Sequence, residues 1–376
     1  MPIGVLLVTG GMSHQEGYAA GFRADPRAKI AAVADERDVD ERRARLNRKL
    51  AADLGVPYIA DLDDALARAD VQVVSITTEH HRQGRVTIRC AEAGKHLYVD
   101  KPLSGSLEDA RRVEAIAKAK GLRTQMFTQV LFPPAQRARR MLASGRLGEL
   151  RAIFTDLHFA KGYAGDFAVA PRKEREKPEM FLFPDAKREM FNIAVYSLAM
   201  IRWLAGRKSF RTVRAVTGNY FFEENKRRDF EDFGVLAVTL EGGVAATVSS
   251  GRTGWKSHPA GGHHRIRLVG SSASHFIDAS AVRGEVQSAR QTFWKTPAAN
   301  PEDPMGFWAS SDQRKTGATE WFAPGVAVNL DQSAFLDCVE RGREAEVTVS
   351  DGVRVLEVLM AAYRSASRGE VEGVER

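Results

Sequence analysis

Short apolar runs alternate with longer amphipathic stretches along the first third of the chain. Residues 5–8, 29–35, 71–77, 96–99 and 123–127 are short and mostly apolar or β-branched. Their lengths and flanking turn residues predict strands. Between them, residues 38–54, 83–93 and 106–120 carry a helical pattern, and Gly55, Gly94 and Gly121 close the three stretches. Ser106 stands as the N-cap of the third, with Asp109 three residues on in capping-box spacing. This alternation predicts a parallel, doubly wound α/β sheet with helices on both faces.

Past residue 128 the pattern changes. Pro133 and Pro134 open a helix that runs to about 142, and longer strands follow at 150–159, 212–222, 233–240, 244–250 and 264–269. One helix, 191–204, lies among them, and a last one covers 350–367. Several strands around few helices predict an α+β domain with a largely antiparallel sheet. At 376 residues the chain exceeds one ordinary core. The change of pattern divides it into 1–128 and 129–376. Residues 291–325 show no period and read as loop-rich.

Composition narrows the class without choosing within it. Hydrophobic residues at 44% and charged residues at 27% are ordinary for a globular protein. No apolar run approaches the roughly 18 residues of a membrane span, and residues 1–11 read as a first strand and not as a secretion signal. The two cysteines, Cys90 and Cys338, form no C-x-x-C pair and read as buried thiols, which suits a reducing cytoplasm. The formal charge of +7 would suit nucleic acid, but the basic residues are interleaved with acids, as in Arg172-Lys173-Glu174-Arg175-Glu176-Lys177. Such runs form solvated faces. The reading is therefore no nucleic acid and no membrane, with a mild positive field that would recruit an anionic dinucleotide.

The first candidate chemistry lies at the turn after the first strand. In a dinucleotide fold this turn brings backbone N–H groups and a helix N-terminus to the pyrophosphate. Here it reads Val8-Thr9-Gly10-Gly11-Met12-Ser13. A full G-x-G-x-x-G motif would have Gly at Val8 and Ser13, so residues 10–21 are expected to take another path. Asp35 ends the second strand, where an acid accepts hydrogen bonds from the adenosine ribose and repels a 2′-phosphate. That favours NAD. Arg37, two residues on, leaves NADP open.

The most specific feature is Ala93-Gly94-Lys95-His96-Leu97-Tyr98-Val99-Asp100-Lys101-Pro102. It resembles the AGKHV-x-x-EKP signature of the Gfo/Idh/MocA family of sugar and cyclitol oxidoreductases, with Asp100 in place of Glu. Weaker likenesses run on through Val74–Thr78, through Ser144–Glu149, through Arg202–Gly206 and into the last helix. The resemblance implies a Rossmann domain over 1–128. It implies a substrate-binding and oligomerisation domain over 129–376, built on an open-faced sheet that pairs in a homodimer or homotetramer. It implies NAD, with NADP possible, held by Gly10, Gly11, Met12, Ser13, Asp35, Thr77, Thr78, His80, Asp100, Lys101 and Gln129.

The resemblance also implies the reacting groups. Lys101 would lie beside the nicotinamide and the substrate hydroxyl, where an ammonium hydrogen-bonds a developing alkoxide and desolvation lowers its pKa. Asn192 and Tyr196 are four apart and share one helix face. They match positions where many members carry Asp and His, and the chain is similar to a branch with Tyr in place of His. Tyr196 would be the general acid/base, its pKa lowered by Lys101, and Asn192 would orient the substrate. Read from the residues alone, Asp156 and His158 alternate on one strand face and are candidates for the substrate cleft, with Lys161 close by. His258, His263 and His264 lack ligand spacing, so no metal is expected. Trp255, Trp294, Trp308 and Trp321 are candidates for stacking on a sugar ring or for packing. The expected function is nicotinamide-dependent oxidation or reduction at a hydroxyl carbon of a sugar or cyclitol. The alternatives are a non-catalytic dinucleotide sensor and an NAD-using glycosidase.

Overall fold

The computed structural model describes residues 2–10, 13–160, 173–176, 188–219, 221–253, 262–278 and 330–374. Gly11, Met12, Lys161, His258, Trp255, Trp294, Trp308, Trp321 and the stretch 291–325 lie outside them.

The first six strands are β1 (Ile3–Val8), β2 (Ala28–Ala34), β3 (Tyr58–Ile59), β4 (Val73–Ile76), β5 (His96–Val99) and β6 (Thr124–Met126). They pair in parallel in the order β3-β2-β1-β4-β5-β6. The connecting helices are α1 (Ser13–Ala24), α2 (Glu41–Leu54), α3 (Leu62–Leu66), α4 (His80–Glu92) and α5 (Leu107–Ala119). The strand order reverses between β1 and β4, and the crevice beyond their carboxyl ends is where such sheets bind ligands. Local chemistry sets the helix ends. Asp40 caps α2 by accepting from Arg43 N, Ser106 caps α5 by accepting from Asp109 N, and Gly55 closes α2 in a left-handed conformation.

The sequence predicts that residues 10–21 take a path other than the usual motif's, and within that stretch a helix, α1, begins at Ser13. The strand runs through Val8, which is fully buried, so the turn starts one residue later than the motif frame assumes. A glycine frame shifted by one residue opens at Thr9, whose φ is 68°, and falls on Gly11 and His14. Gln15 is fully buried, donates to Val8 O at 3.2 Å and Ser75 O at 3.1 Å, and accepts from Ser75 Oγ at 2.9 Å. A satisfied amide thus packs the helix against β1 and β4.

Residues beyond β6 build a mixed, mostly antiparallel sheet. α6 (Pro133–Ala143) leads into β7 (Leu150–Ala160), followed by α7 (Glu189–Leu204), β8 (Phe210–Gly218), α8 (Glu223–Arg227), β9 (Phe233–Leu240), β10 (Ala245–Thr253), β11 (Gly262–Gly270) and β12 (Ser274–Asp278). The last elements are α9 (Leu330–Arg341), α10 (Val349–Arg368) and β13 (Glu372–Gly373). The order is β12-β11-β7-β10-β9-β8-β13, with β7 and β10 parallel and the other pairs antiparallel. The strand predicted over 212–222 ends at Gly218.

α7 and α10 cover one face of this sheet. α7 is buried almost all round, and Ser197 on it meets Ser250 Oγ on β10 at 3.4 Å. The alternate residues of each strand point to the opposite face. That face carries the exposed Phe154, Val216, Val235 and Phe276. The C-terminal elements also return to the first sheet: Val349 N donates to Thr124 Oγ1, and Gln332 Nε2 donates to Tyr98 Oη.

Candidate active site

Lys101 follows β5 directly and is 6% exposed. Its Nζ donates to both oxygens of Asn192, the backbone O at 2.9 Å and Oδ1 at 2.9 Å. It also lies over the Tyr196 ring, 4.7 Å from the centroid. The three residues thus meet at the carboxyl end of the parallel sheet, though they are up to 95 positions apart in the chain. Asn192 faces the lysine, so its oxygens orient Lys101.

The start of α7 is fixed by a buried ionic network. Arg188 lies between Glu174 and Glu231, all three fully enclosed, and its guanidinium stacks 4.4 Å from the Tyr363 ring centroid. Glu231 accepts from Met190 N at 3.1 Å and from Tyr363 Oη at 2.7 Å, and Tyr363 Oη accepts from Phe191 N at 3.1 Å. Two of the first-turn N–H groups, those of Met190 and Phe191, which a helix cannot satisfy itself, are thereby paired. The helix that presents Asn192 and Tyr196 is held at its root.

Tyr196 departs from one expectation. Burial pushes its phenol well above the usual range, Asp100 adds to the shift, and Arg252 opposes it. The phenol is therefore protonated throughout neutral pH. Asp100 shows the opposite balance. Burial raises it, but His14, Lys101 and Tyr18 together hold its carboxyl at about 2. It receives Tyr18 Oη at 2.8 Å, the Lys101 backbone N at 2.8 Å and His14 Nδ1 at 2.9 Å. Gln83 joins this cluster to the crevice, accepting from Thr78 Oγ1 at 2.7 Å and donating to Asp100 O at 3.0 Å.

The crevice side of the site has features that suit a dinucleotide. Gly10 has no room for a side chain, since a Cβ there would lie 2.7 Å from Leu50 Cδ2. Its N–H donates to Asn47 Oδ1 at 2.7 Å and its carbonyl accepts from Arg43, so α2 braces the turn from behind. Thr9 has a φ of 68°, a strained value for a β-branched residue. Thr77 Oγ1, at the end of β4, is buried without a hydrogen-bond partner among the described residues. An orphaned hydroxyl in the switch-point crevice needs a ligand group or water to satisfy it. Thr78, His80 and Gln129 are all buried around the same end of the sheet.

Two expectations are corrected. Asp35 does not face the crevice: it is fully buried, and both oxygens are taken. Arg82 grips it bidentately, Thr9 Oγ1 donates at 3.0 Å, Asn47 Nδ2 at 2.8 Å and Glu36 N at 2.9 Å. Asp156 and His158 alternate onto the sheet face away from α7. There His158 Nε2 meets Ser249 Oγ at 2.8 Å and Asp156 Oδ1 at 3.3 Å, and its ring lies 5.9 Å from that of Phe233. Strand parity separates them from Tyr196.

Several residues at the site were not assigned to it from the sequence. His264 is fully buried on β11, contacts Gln129 Oε1 through Nδ1, and lies 3.3 Å from Ser197 Oγ through Nε2. It links the segment after β6 to α7 beside Tyr196. Its burial within an alternating strand, one residue from His263, was the only available signal. His14, Tyr18 and Gln83 carried none. Among the described residues no cluster of His, Cys, Asp and Glu is arranged to hold a metal ion, and no helix is long and apolar enough to cross a membrane.

Comparison with known proteins places this geometry among relatives. Residues 3–128 match the family profile described as an oxidoreductase family with an NAD-binding Rossmann fold, and residues 135–275 match the GFO/IDH/MocA C-terminal domain. The chain is 26% identical over 324 residues to the scyllo-inositol 2-dehydrogenase (NAD(+)) of Bacillus subtilis (strain 168), covering 85% of this chain and 83% of that protein. The crystal structure of GenD2 from gentamicin A biosynthesis, in complex with NAD, superposes with a TM-score of 0.71 at 22% identity, covering 100% of this chain and 97% of that one. The scyllo-inositol dehydrogenase from Lactobacillus casei, with bound NAD(H) and scyllo-inositol, gives 0.71 at 17% identity, covering 100% and 99%. The two structural likenesses are likenesses of fold.

Proposed function

This chain belongs to the Gfo/Idh/MocA oxidoreductase family, and we propose that within it the chain is an NAD-dependent dehydrogenase acting on a hydroxyl carbon of a sugar or cyclitol. The observation that carries the reading is the convergence of Lys101 Nζ, the Asn192 oxygens and the Tyr196 ring at the carboxyl end of the parallel sheet. The likeness to an NAD-dependent inositol dehydrogenase over most of both chains supports it.

When bound, NAD supplies the carbon that accepts or returns the hydride. Gly10, Gly11, Met12 and Ser13, with the α1 N-terminus, would hold its pyrophosphate. Thr77, Thr78, His80, Asp100, Lys101 and Gln129 would line its nicotinamide half. The unsatisfied Thr77 hydroxyl and the glycine-only position at 10 fit that occupant.

Lys101 acts on the substrate oxygen. Its ammonium, held by two neutral oxygens, hydrogen-bonds that atom and stabilises the alkoxide that the reaction creates. Tyr196 carries the proton. Its phenol donates to the oxygen when a carbonyl is reduced and is left as the phenolate; alcohol oxidation runs the same step in reverse, from the phenolate, which takes the hydroxyl proton. Asn192 positions Lys101, and Asp100, tied to His14 and Tyr18, fixes the backbone from which Lys101 projects. In this reading residues 1–128 carry the dinucleotide and 129–376 the substrate. The exposed Phe154, Val216, Val235 and Phe276 support a homodimer or homotetramer formed through the open sheet face. The buried free thiols Cys90, whose pKa burial pushes up to about 12, and Cys338 suit a cytoplasmic location.

The glycine frame that meets Thr9 and His14 in place of glycine favours a second reading, a dinucleotide-binding sensor without turnover. One experiment separates them. Purified protein is titrated with NADH, then assayed with NAD and a panel of inositols and aldoses at the reduced-nicotinamide absorbance band. Turnover on at least one polyol is expected. Binding with no turnover across the panel overturns the dehydrogenase and leaves the sensor.

A further inference from the structure

Beyond the tip of β2 lies a cavity of about 720 Å³ between α2 and α4. Under the reading above it receives the adenosine half of the dinucleotide, and the inference here rests on that reading. Six arginines line it, Arg37, Arg42, Arg43, Arg82, Arg85 and Arg89, together with six carboxylates. What matters is which of these charges are already matched.

Asp35, the residue whose position would make it the reader of the ribose hydroxyls, is absent from the lining. Arg82 covers it. The Arg82 side chain is 5% exposed, and it reaches four other side chains: Asp35 through both terminal nitrogens, Glu79 through Nε at 2.5 Å, Glu36 at 3.2 Å and Thr9 Oγ1 at 3.0 Å. A carboxylate with both oxygens engaged cannot accept from ribose hydroxyls. Matched at contact by a guanidinium, it no longer repels a 2′-phosphate as an open acid would. Glu36, the next acid, is matched too, by Arg85 at 2.8 Å and by Arg82 and Arg89. Asp40 and Asp61 are turned to the N-termini of α2 and α3. On the other side of the account, Arg42 lines the cavity from an exposed position on α2, while Arg37, 74% exposed at its mouth, is paired with Asp61.

We propose that Arg82 determines cofactor choice in this chain by silencing Asp35, so that the site accepts NADP(H) alongside NAD(H), with Arg42 meeting the 2′-phosphate. Planar, bidentate guanidinium chemistry suits both roles.

The test is direct binding of NADH and NADPH, followed by quenching of tryptophan fluorescence. The ratio of the two dissociation constants is measured for wild type, Arg42→Ala and Arg82→Met. In wild type the ratio is expected within about tenfold of unity, and Arg42→Ala, a surface change that leaves the fold intact, weakens NADPH about fivefold or more against NADH. Arg82→Met uncovers Asp35, tightens or preserves NADH and weakens NADPH, moving the ratio by about tenfold or more. Circular dichroism checks that this variant is folded; if it is not, the wild-type ratio and Arg42→Ala decide. A wild-type ratio above about a hundredfold in favour of NADH overturns the proposal. So does an Arg42→Ala ratio equal to wild type. If wild type binds neither dinucleotide, the dehydrogenase reading itself has failed, which is a distinct result.

Discussion

Two buried cations stand at the two ends of the crevice, and they are held in opposite ways. Arg82 at the adenosine end is saturated by carboxylates from the turn after β2 and from the N-cap of α4. Lys101 at the reacting end rests on the two neutral oxygens of Asn192 and the face of Tyr196. An arginine among carboxylates is a lock, because moving it leaves several charges buried without partners, at several kcal/mol. A lysine on an amide and a ring can exchange a contact for a substrate oxygen at far lower cost. The same tie appears in the acids. Burial raises Glu79, but Arg82 and Arg43 hold it near 2. The difference separates groups that shape a binding surface from groups that take part in a reaction.

Replacing the reacting cation gives the largest expected effect. Lys101→Met removes the charge and keeps the stem, so kcat is expected to fall by about 10³-fold or more, in line with loss of a preorganised charge at a developing oxyanion. NADH binding should weaken by less than about tenfold. Rapid mixing with fluorescence titration measures both. A variant keeping a tenth of the wild-type kcat means that Lys101 is a lock like Arg82.

Tyr196→Phe comes next. It leaves the ring that carries Lys101 and removes only the hydroxyl, so about a 10²-fold loss in kcat is expected, at the lower end for a positioned acid. Substrate KM should change little. Because burial and Asp100 hold the phenol above its usual range, the wild-type pH profile for carbonyl reduction should stay flat to about pH 10 before it falls. An early fall near neutral pH assigns the proton to another group.

Much of the architecture was legible because periodicity is local. Five of the six strands of the first sheet, the long strands of the second, α7 and the last helix all announce themselves as apolar runs of the right length. α1 did not, although Gln15, Tyr18, Ala19 and Phe22 do follow helical spacing. A polar residue opens that stripe, and its partners, Val8 O and Ser75, lie on two strands. α9 sits beside a long segment without period, which hid it. At the site, Lys101, Asn192 and Tyr196 came from a motif and a helical spacing, and the fold brings them together. Asp35 was placed at the correct strand end but given the wrong neighbours, because the residue that covers it lies 47 positions away. Contacts of that range are invisible to pattern. Strand parity was legible for Asp156 and His158, but which face would be covered was not.

Asp331 offers the smallest and cleanest probe of the contrast between neutral and charged partners. It is a buried carboxyl at the start of α9 whose oxygen accepts from Gln125 Nε2 at 2.6 Å. Burial pushes it up to about 7, and the neutral amide only partly offsets that. Below about pH 4 the carboxyl is protonated in both folded and unfolded chains, and contributes nothing. Between about 4 and 7 the unfolded chain releases the proton while the folded chain keeps it, so stability falls as pH rises through this window and stays reduced above it. Glu79, held low by arginines, has the opposite sign: its stabilisation is full above its unfolded value and is lost as pH falls toward 2. Asp331→Asn keeps the acceptor and removes the ionisation. Urea titrations should show little gain over wild type at pH 4.5 and a gain of roughly 2–4 kcal/mol at pH 8. A gain that is the same at both pH values means that Asp331 is ionised in the folded chain, and that an amide partner alone can hold a buried charge.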